Sequence, residues 1–500
     1  MNNFLIIALL CLFKSFCYSL TYKNISKNAH TKVLFDEGML YYYAYSYSQA
    51  EHNFRMAIQF DNTCAPCYLA LAMAKKQQAI ELGKSFATSG LKEVQLAKNL
   101  LKKEQSFYYA LAFALEKTFS ENPTVNLNFL QKNLIEELKH IYNQYHNNHD
   151  WISEALALLV DAIAYYPISD ANNDNFHCSK KYEENLKREA IEYMQKSFYN
   201  RKYKIHPGIL HTYIHMKETD LTDPHGMLAA KLLANFHNNY IAHYAHMPNH
   251  IYWRRGMYKD AIEANLNAIK FDENYFKKNG IGLSTYYYEY HYLHSQHFLT
   301  ILGFLTNNLN LSLKNAREIK MLMDFNRMQD ISDYRDIYLT LEHLLLARFE
   351  NWQETISLPT TQKLGDLGIL FLKFSQALSY LHLNNEKEYL NSFNEINKIA
   401  PEKKFITNIK NLIIVYLNAA KMIQNNLTFK EVENYIIQNN IKELEEIFHK
   451  NNPPLWIFPY SLLLANYANK RGDKNAAEKY FTLFLKQYPN ATFGKLDFKS

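Results

Sequence analysis

The chain has 500 residues, a formal net charge of +6 at pH 7, and 48% hydrophobic residues. Because Lys and Arg are scattered along it, the sequence lacks the one-sided basic block that nucleic-acid binding requires, and we expect no nucleic-acid partner. Only 13 Gly and 12 Pro are present, which argues against a β-rich fold and favours long helices. A chain of this length is too long to fold around one compact hydrophobic core, but proteins built of stacked repeats are not subject to this limit.

Residues 1–19 have the pattern of a signal peptide. The apolar run Phe4–Phe13 is too short to span a bilayer but has the length of a signal-peptide core. Cys17 and Ser19 supply the small residues of a cleavage site after Ser19. No basic residue precedes the run and Lys14 follows it early, so a buried first helix is the alternative. We expect an exported protein, periplasmic or secreted, that does not span the membrane.

Cys64-Ala-Pro-Cys67 has the spacing of a thioredoxin-type redox pair. That function requires a strand followed by a helix, whereas the flanking sequence is typical of helical repeats. We therefore favour a local disulfide at the start of a helix, which an oxidising compartment would allow. Cys178 would then remain unpaired.

A repeated pattern predicts the fold. In residues 34–62, Gly38 and nearby aromatic residues on one helix precede Ala50-x3-Phe54-x2-Ala57 on the next, which is the tetratricopeptide pattern. Small residues are needed where two antiparallel helices approach most closely. The pattern recurs at 256–272 and 472–489. The prediction is an all-α fold, a right-handed superhelical array of tetratricopeptide-like hairpins (an α-solenoid), with N-terminal repeats in 20–200, a His-rich segment in 201–300 and C-terminal repeats in 301–500.

Histidine is concentrated in one part of the chain, since eleven of the twenty histidines lie between His206 and His297. Imidazole is a metal ligand and a proton carrier near neutral pH, so this segment is the strongest indication of chemistry. The histidines occur in strings at helical spacing. The strings are His206-x4-His211-x3-His215, His243-x2-His246-x3-His250 and His291-x2-His294-x2-His297.

These strings resemble those of an uncharacterised group of bacterial tetratricopeptide proteins. The resemblance rests on His206-Pro-Gly-x2-His211-x-Tyr-Ile-His215, His246-Met-Pro-x-His250-Ile-Tyr and His294-x2-His297-Phe298. Further matches are Cys64-Ala-Pro-Cys67-Tyr68, Arg348-Phe-x2-Trp352 and Pro453-Pro-Leu-Trp456. It implies a helical-repeat fold, often behind a signal peptide, and no particular reaction. Relatives often carry histidines where this chain has Tyr41, Tyr43 and Tyr47, so a site at that edge would be altered here.

Helical spacing suggests how the histidines could act together. His211 and His215 are one turn apart and project from the same face, which Glu218 continues. Two imidazoles and a carboxylate are the elements of a metal site or an acid–base pair. A solvated helix face is the alternative for this trio.

Pro248 stands between His246 and His250, where the repeat register predicts a helix. Proline lacks the amide proton and clashes with the preceding turn, so the helix either starts late, with Pro248 in its first turn, or is kinked. Both outcomes would turn the two histidines away from an ordinary packing face.

The sequence is compatible with two functions. The first is a binding scaffold that takes a protein or peptide on its concave surface. The second is a metalloprotein, and in one version an enzyme of unknown reaction, that binds Zn, Cu, Ni or Fe. The alternatives for the histidines are a buried polar network without metal and incidental placement. The candidate ligands are His211, His215, His246 and His250, with His206, His294 and His297 as further ligands or partners of ligands, and Glu218 as a ligand or general base; His225 and His237 are excluded.

Overall fold

The computed structural model describes residues 20, 22–167, 180–236, 240–279, 287–324, 333–359 and 363–493. Every regular element in these ranges is helical, which confirms the all-α prediction. The predicted signal peptide at 1–19, Cys178 and His237 lie outside the described residues.

The chain divides into two compact units. Unit 1 is Met1–Ile251 with Asn267–His291, and unit 2 is Tyr252–Leu266 with Tyr292–Ser500. The helices wholly within unit 1 are α1 (Ala29–Tyr43), α2 (Tyr47–Phe60), α3 (Ala65–Glu81), α4 (Leu91–Leu100), α5 (Ser106–Glu116), α6 (Leu127–Tyr145), α7 (Ile152–Ala164), α8 (Lys180–Tyr199), α9 (Pro207–Lys217), α10 (Pro224–Ala234) and α11 (Ala242–His246).

Two α-helices, α12 (Pro248–Arg254) and α13 (Tyr258–Asn279), contain residues of both units, as does a π-helical turn at Tyr288–Tyr292. The helices wholly within unit 2 are α14 (Leu293–Leu305), α15 (Leu309–Asp324), α16 (Asp333–Arg348), α17 (Trp352–Ser357), α18 (Asp366–His382), α19 (Glu386–Lys398), α20 (Lys404–Gln424), α21 (Phe429–Gln438), α22 (Ile441–His449), α23 (Tyr460–Lys470) and α24 (Lys474–Gln487). None of the helices in the described residues is both long and apolar enough to cross a membrane.

In unit 1, helices that follow one another in sequence pack on one another, beginning with α1 on α2 and α2 on α3. The first hairpin shows why its small residues are needed. A Cβ atom on Gly38 would overlap the ring of Phe54, which is fully buried between the two helices. Ala50 and Ala57 are also fully buried on the α2 face. The first hairpin therefore packs as its pattern of small and large residues predicts.

Cys64 and Cys67 form a disulfide, with their Cα atoms 5.3 Å apart. Cys64 caps α3, since its Sγ atom accepts a hydrogen bond from the Cys67 amide at 3.2 Å. The expected local disulfide at a helix start is therefore confirmed, and the flanking elements are the helices α2 and α3.

Unit 2 is built in the same way from consecutive helix pairs, among them α14 with α15, α18 with α19 and α23 with α24. Two of its helices also approach closely at a glycine. A Cβ atom on Gly303 of α14 would overlap Ser312 of α15. Gly472 has a φ of 78° between α23 and α24, a left-handed conformation that glycine adopts without strain.

Candidate metal centre

Helix α9 carries the first two candidate ligands and is anchored at its start by a third histidine. His206 is the N-cap: its Nδ1 atom accepts from the Gly208 amide at 3.2 Å, and its Nε2 atom lies 3.1 Å from Glu154 Oε2. Since Nδ1 accepts, the proton of a neutral ring is on Nε2 and is donated to the carboxylate. Both nitrogens of His206 thus fix the start of α9. His206, which the sequence suggested as a further ligand, is therefore a helix cap in this structure.

Three histidines of unit 1 converge on one point. His211 and His215, one turn apart on α9, have their Nε2 atoms 3.1 Å apart. His243, from α11, places its Nε2 atom 3.0 Å from that of His211. One ligand atom from each of the three lies within 4.8 Å of the others. Two nitrogens bound tetrahedrally to Zn²⁺ at about 2.0–2.1 Å are about 3.3 Å apart, so this triad has the dimensions of a metal site.

The tautomer of His211 follows from its other nitrogen. His211 Nδ1 lies 2.6 Å from the backbone carbonyl oxygen of Tyr43, and a carbonyl can only accept. The single proton of the neutral ring is therefore on Nδ1, and Nε2 presents its lone pair to His215 and His243. One lone pair cannot accept two good hydrogen bonds at once, whereas a cation can be shared among three nitrogens.

A fourth histidine extends the triad. His291 Nδ1 lies 2.7 Å from His243 Nδ1, and the His291 ring also hydrogen-bonds the backbone of Tyr45. The first and the last ring of the chain His211–His243–His291 are thus hydrogen-bonded to the last residue of α1 and to the turn that follows it. Backbone carbonyls are common partners of metal-bound imidazoles because they orient the ring and settle its tautomer.

Tyr45, in that turn, covers the triad. Its ring centroid lies 4.2 Å from that of His211, and its plane is within 6° of the His215 ring at 5.8 Å. Tyr45 has a φ of 56°, an unusual left-handed conformation for a bulky residue. Such strain persists only where the surrounding structure enforces it, and it is most frequent at functional sites.

A second histidine pair adjoins the triad in unit 1. Met247 separates α11 from α12, and Pro248 takes the first position of α12, where its missing amide proton costs nothing. Pro248 thus lies in the first turn of α12, and α12 follows directly on α11, because Met247 between them has α-helical dihedral angles. His246 and His250, on either side of this break, have their Nε2 atoms 3.0 Å apart.

Glu218 lies behind this pair. Its Oε2 atom lies at ion-pair distance from His250 Nδ1, at 2.7 Å, and its negative charge favours a proton on Nδ1, which leaves the lone pair of His250 on Nε2, facing His246. A carboxylate that orients an imidazole in this manner is the usual partner of a histidine ligand. The ring centroids of His215 and His250 are 5.5 Å apart, so the pair and the triad form one cluster of six histidines, completed by His291.

Four histidines of the cluster, those of the triad and His291, are held in their neutral form. His211 is fully buried, and burial followed by the neighbouring His215 holds its pKa well below the usual value. Burial and the neighbouring His291 do the same to the pKa of His243. Burial lowers the pKa of His291 to about 3 and that of His215, the most accessible of the triad, to about 4. Neutral imidazoles are the form that binds a metal, so protons do not compete for these nitrogens near neutral pH.

The structure thus brings together the four principal candidates, His211, His215, His246 and His250, and places Glu218 beside them. The two further candidates His294 and His297 belong to unit 2. There, burial lowers the pKa of His297 to about 3, and its ring makes an edge contact with Tyr338.

Two members of the cluster, His243 and His291, are not among the ligands predicted from sequence. The signal for His243 is present, because it stands three residues before His246 and so shares its helix face. His291 precedes the described helix α14 in a π-helical turn, and its partner Tyr45 is distant in sequence.

Comparison with protein-family models gives no match, and comparison with curated proteins gives none either. The functional assignment therefore depends on the geometry of the cluster.

Proposed function

We propose that this protein binds a divalent transition metal ion through His211, His215 and His243. The observation that supports the proposal most strongly is the His211 ring, whose proton is committed to the Tyr43 carbonyl while its lone pair meets two other Nε2 atoms at 3.1 and 3.0 Å. Imidazole suits Zn²⁺, Cu²⁺, Ni²⁺ and Fe²⁺ alike. His246 and His250, with Glu218 behind them, offer additional nitrogen ligands beside the triad.

The test is the metal content of the purified full-length chain after incubation with Zn²⁺ and removal of free metal. We expect bound zinc in the natural protein and a loss of about one ion per chain in His211→Ala and in His243→Ala. The matched control is His140→Ala, which removes an exposed histidine of unit 1 outside the cluster. Metal content unchanged by both cluster substitutions would instead establish a buried polar network without metal.

We further propose that the hairpins form a right-handed tetratricopeptide-type superhelix, that the protein is exported, and that its concave surface takes a protein or peptide. The packing of Phe54 against Gly38 supports the repeat assignment. The Cys64–Cys67 disulfide supports export, because disulfides persist in oxidising compartments. Cell fractionation with an antibody to the chain tests export: recovery from the reducing cytosol alone would contradict it.

A metal-dependent enzyme is the second candidate function. The observation that favours it is the number of ligands, since three histidines leave a fourth position of a tetrahedral metal for water or substrate, as in catalytic zinc sites. Glu218 is partly accessible, with 16% of its side chain exposed, beside the cluster. Hydrolysis of an activated ester by the zinc-loaded protein, lost in His243→Ala, would support this candidate, and no zinc-dependent rate above that of free zinc would contradict it.

A further inference from the structure

A buried cation lies in unit 2, apart in sequence from the histidine cluster. Arg348, the last residue of α16, is only 9% exposed. Its Nε and Nη2 atoms are buried and have no hydrogen-bond partner in the part of the chain that the structure describes. No carboxylate oxygen among those residues lies within 4.0 Å of the guanidinium. A buried charge without a partner is costly, since it leaves water and gains no compensating bond.

Aromatic rings surround the guanidinium without satisfying it. The ring centroids of Phe304, Phe458 and Phe493 lie 5.4, 5.5 and 4.6 Å from the Arg348 Cζ atom. Such contacts stabilise a cation through its attraction to the electron-rich ring faces. A ring offers no oxygen or nitrogen acceptor, so the N–H groups on Nε and Nη2 still lack one.

Arg348 lines a cavity of about 90 Å³. Its walls include Leu378, Tyr416 and Phe458, and the stacked rings of Trp352 and His382, 4.1 Å apart, contribute as well. The space exceeds what a single water molecule needs. The cavity adjoins a more open pocket of about 580 Å³, because residues of α18, α20 and α23 line both.

The charges around this space are mainly positive. Lys470 lines both the cavity and the open pocket, and Arg471 lines the open pocket. Arg471 donates to the hydroxyl of Tyr467 at 3.2 Å, a bond that leaves its charge uncompensated. Glu350 is the only acidic residue among those lining the two. An anion entering from the open pocket would therefore meet a favourable potential.

We propose that this pocket binds a small organic carboxylate, which accepts hydrogen bonds from the guanidinium of Arg348 at the cavity wall. A planar guanidinium carries pairs of N–H groups whose spacing matches the two carboxylate oxygens, so it binds them in a bidentate manner. The apolar walls take the body of the ligand. Lys470 supplies a second positive charge towards the open side.

The pocket also explains two sequence features that the histidine cluster leaves unused. Arg348 and Trp352, from Arg348-Phe-x2-Trp352, both line the cavity. Trp456, from Pro453-Pro-Leu-Trp456, donates its indole proton to the backbone oxygen of Phe458 at 2.7 Å, which positions the Phe458 ring against Arg348. The two motifs thus meet at one site.

The experiment measures binding of benzoate to the full-length chain by isothermal titration calorimetry, with benzyl alcohol as a probe of the same shape without charge. We expect saturable binding of benzoate and none of benzyl alcohol. Arg348→Met should weaken benzoate binding by about tenfold or more, since hydrogen bonds to a charged group are lost. Arg348→Lys, which retains the charge but loses the paired N–H groups of the guanidinium, should also weaken benzoate binding.

Two controls separate binding from folding and from net charge. Replacing an unpaired buried cation by methionine is expected to leave the fold intact or stabilise it, which circular dichroism and urea unfolding verify. Lys486→Met changes net charge equally on the exposed side of α24 and should leave benzoate affinity unchanged. Failure of benzoate and acetate to bind the folded natural protein would overturn the proposal, as would equal affinity in folded Arg348→Met. Binding of inorganic phosphate in place of both carboxylates would also overturn it.

Discussion

His211 Nδ1 lies 2.6 Å from the backbone carbonyl oxygen of Tyr43, a residue 168 positions earlier in the chain. This contact settles which nitrogen of His211 carries the proton and directs the lone pair of Nε2 towards His215 and His243. The carbonyl belongs to the last residue of α1, whose following turn also holds His291 through Tyr45. The first hairpin therefore acts as the support on which the histidine cluster is oriented.

Tyr43→Phe should separate the role of the Tyr43 backbone from that of its side chain. The hydroxyl of Tyr43 donates to Glu154 Oε1 at 2.8 Å, and both residues are buried. Loss of this bond should lower the free energy of unfolding by about 1–3 kcal/mol. Zinc content should not change, because the carbonyl that orients His211 remains. A folded Tyr43→Phe protein that no longer retains zinc would contradict this account of the contact.

Glu218→Gln should lower the affinity of His246 and His250 for a metal ion by about tenfold to 100-fold, as the loss of such an orienting partner typically does. The physical reason is the 2.7 Å contact with His250 Nδ1, where an amide replaces the carboxylate. Competition with a chromophoric chelator measures the affinity. Glu192→Gln, an exposed change of equal charge on α8, is the control, and an equal affinity in both variants would show that Glu218 does not orient His250.

Gly38→Ala should destabilise the first hairpin by about 1–3 kcal/mol, because the added methyl group overlaps the buried Phe54 ring. The gain in helix propensity, about 1 kcal/mol, offsets only part of this strain. Urea unfolding measures the loss. The Gly38→Ala, Phe54→Leu double variant should lose less stability than the sum of the losses in the two single variants. Strict additivity would mean that the two residues do not compete for space.

The stability that Glu445 contributes to unit 2 should be lost as the pH rises from about 5 to 8. Burial raises the pKa of Glu445 to about 8 from its ordinary 4.5. Between these two values the folded state binds a proton that the unfolded state has released, so the free energy of unfolding falls with rising pH. Glu445→Gln, which keeps an oxygen for the amide of Tyr460 at 2.7 Å, should remove this contribution, so the difference in the free energy of unfolding between the two proteins should change across this window. An identical slope in both proteins would contradict the assignment.

Helical periodicity was sufficient to predict part of the site. His211 and His215 share a face because they are one turn apart, and Pro248 ends the preceding helix because it lacks an amide proton. The Cys64–Cys67 disulfide and the packing at Gly38 are equally local, and the structure contains both.

The features that complete the site depend on contacts between residues far apart in sequence. The proton position of His211 depends on a carbonyl in α1, which no local pattern in α9 reveals. His243 and His291 join the cluster through each other and through the turn at Tyr45. Nothing in the sequence distinguishes Arg348 from an ordinary arginine at the end of a helix. Its burial becomes evident only from the packing of Phe304, Phe458 and Phe493 around it.

X-ray absorption at the zinc edge, on the zinc-loaded full-length protein, tests the central claim most directly. We predict imidazole nitrogens at about 2.0–2.1 Å around zinc, and fewer of them, or no bound zinc, in His211→Ala and His243→Ala. A spectrum of hydrated zinc alone, or an imidazole shell that is identical in both variants and the natural protein, would contradict a metal site at His211, His215 and His243.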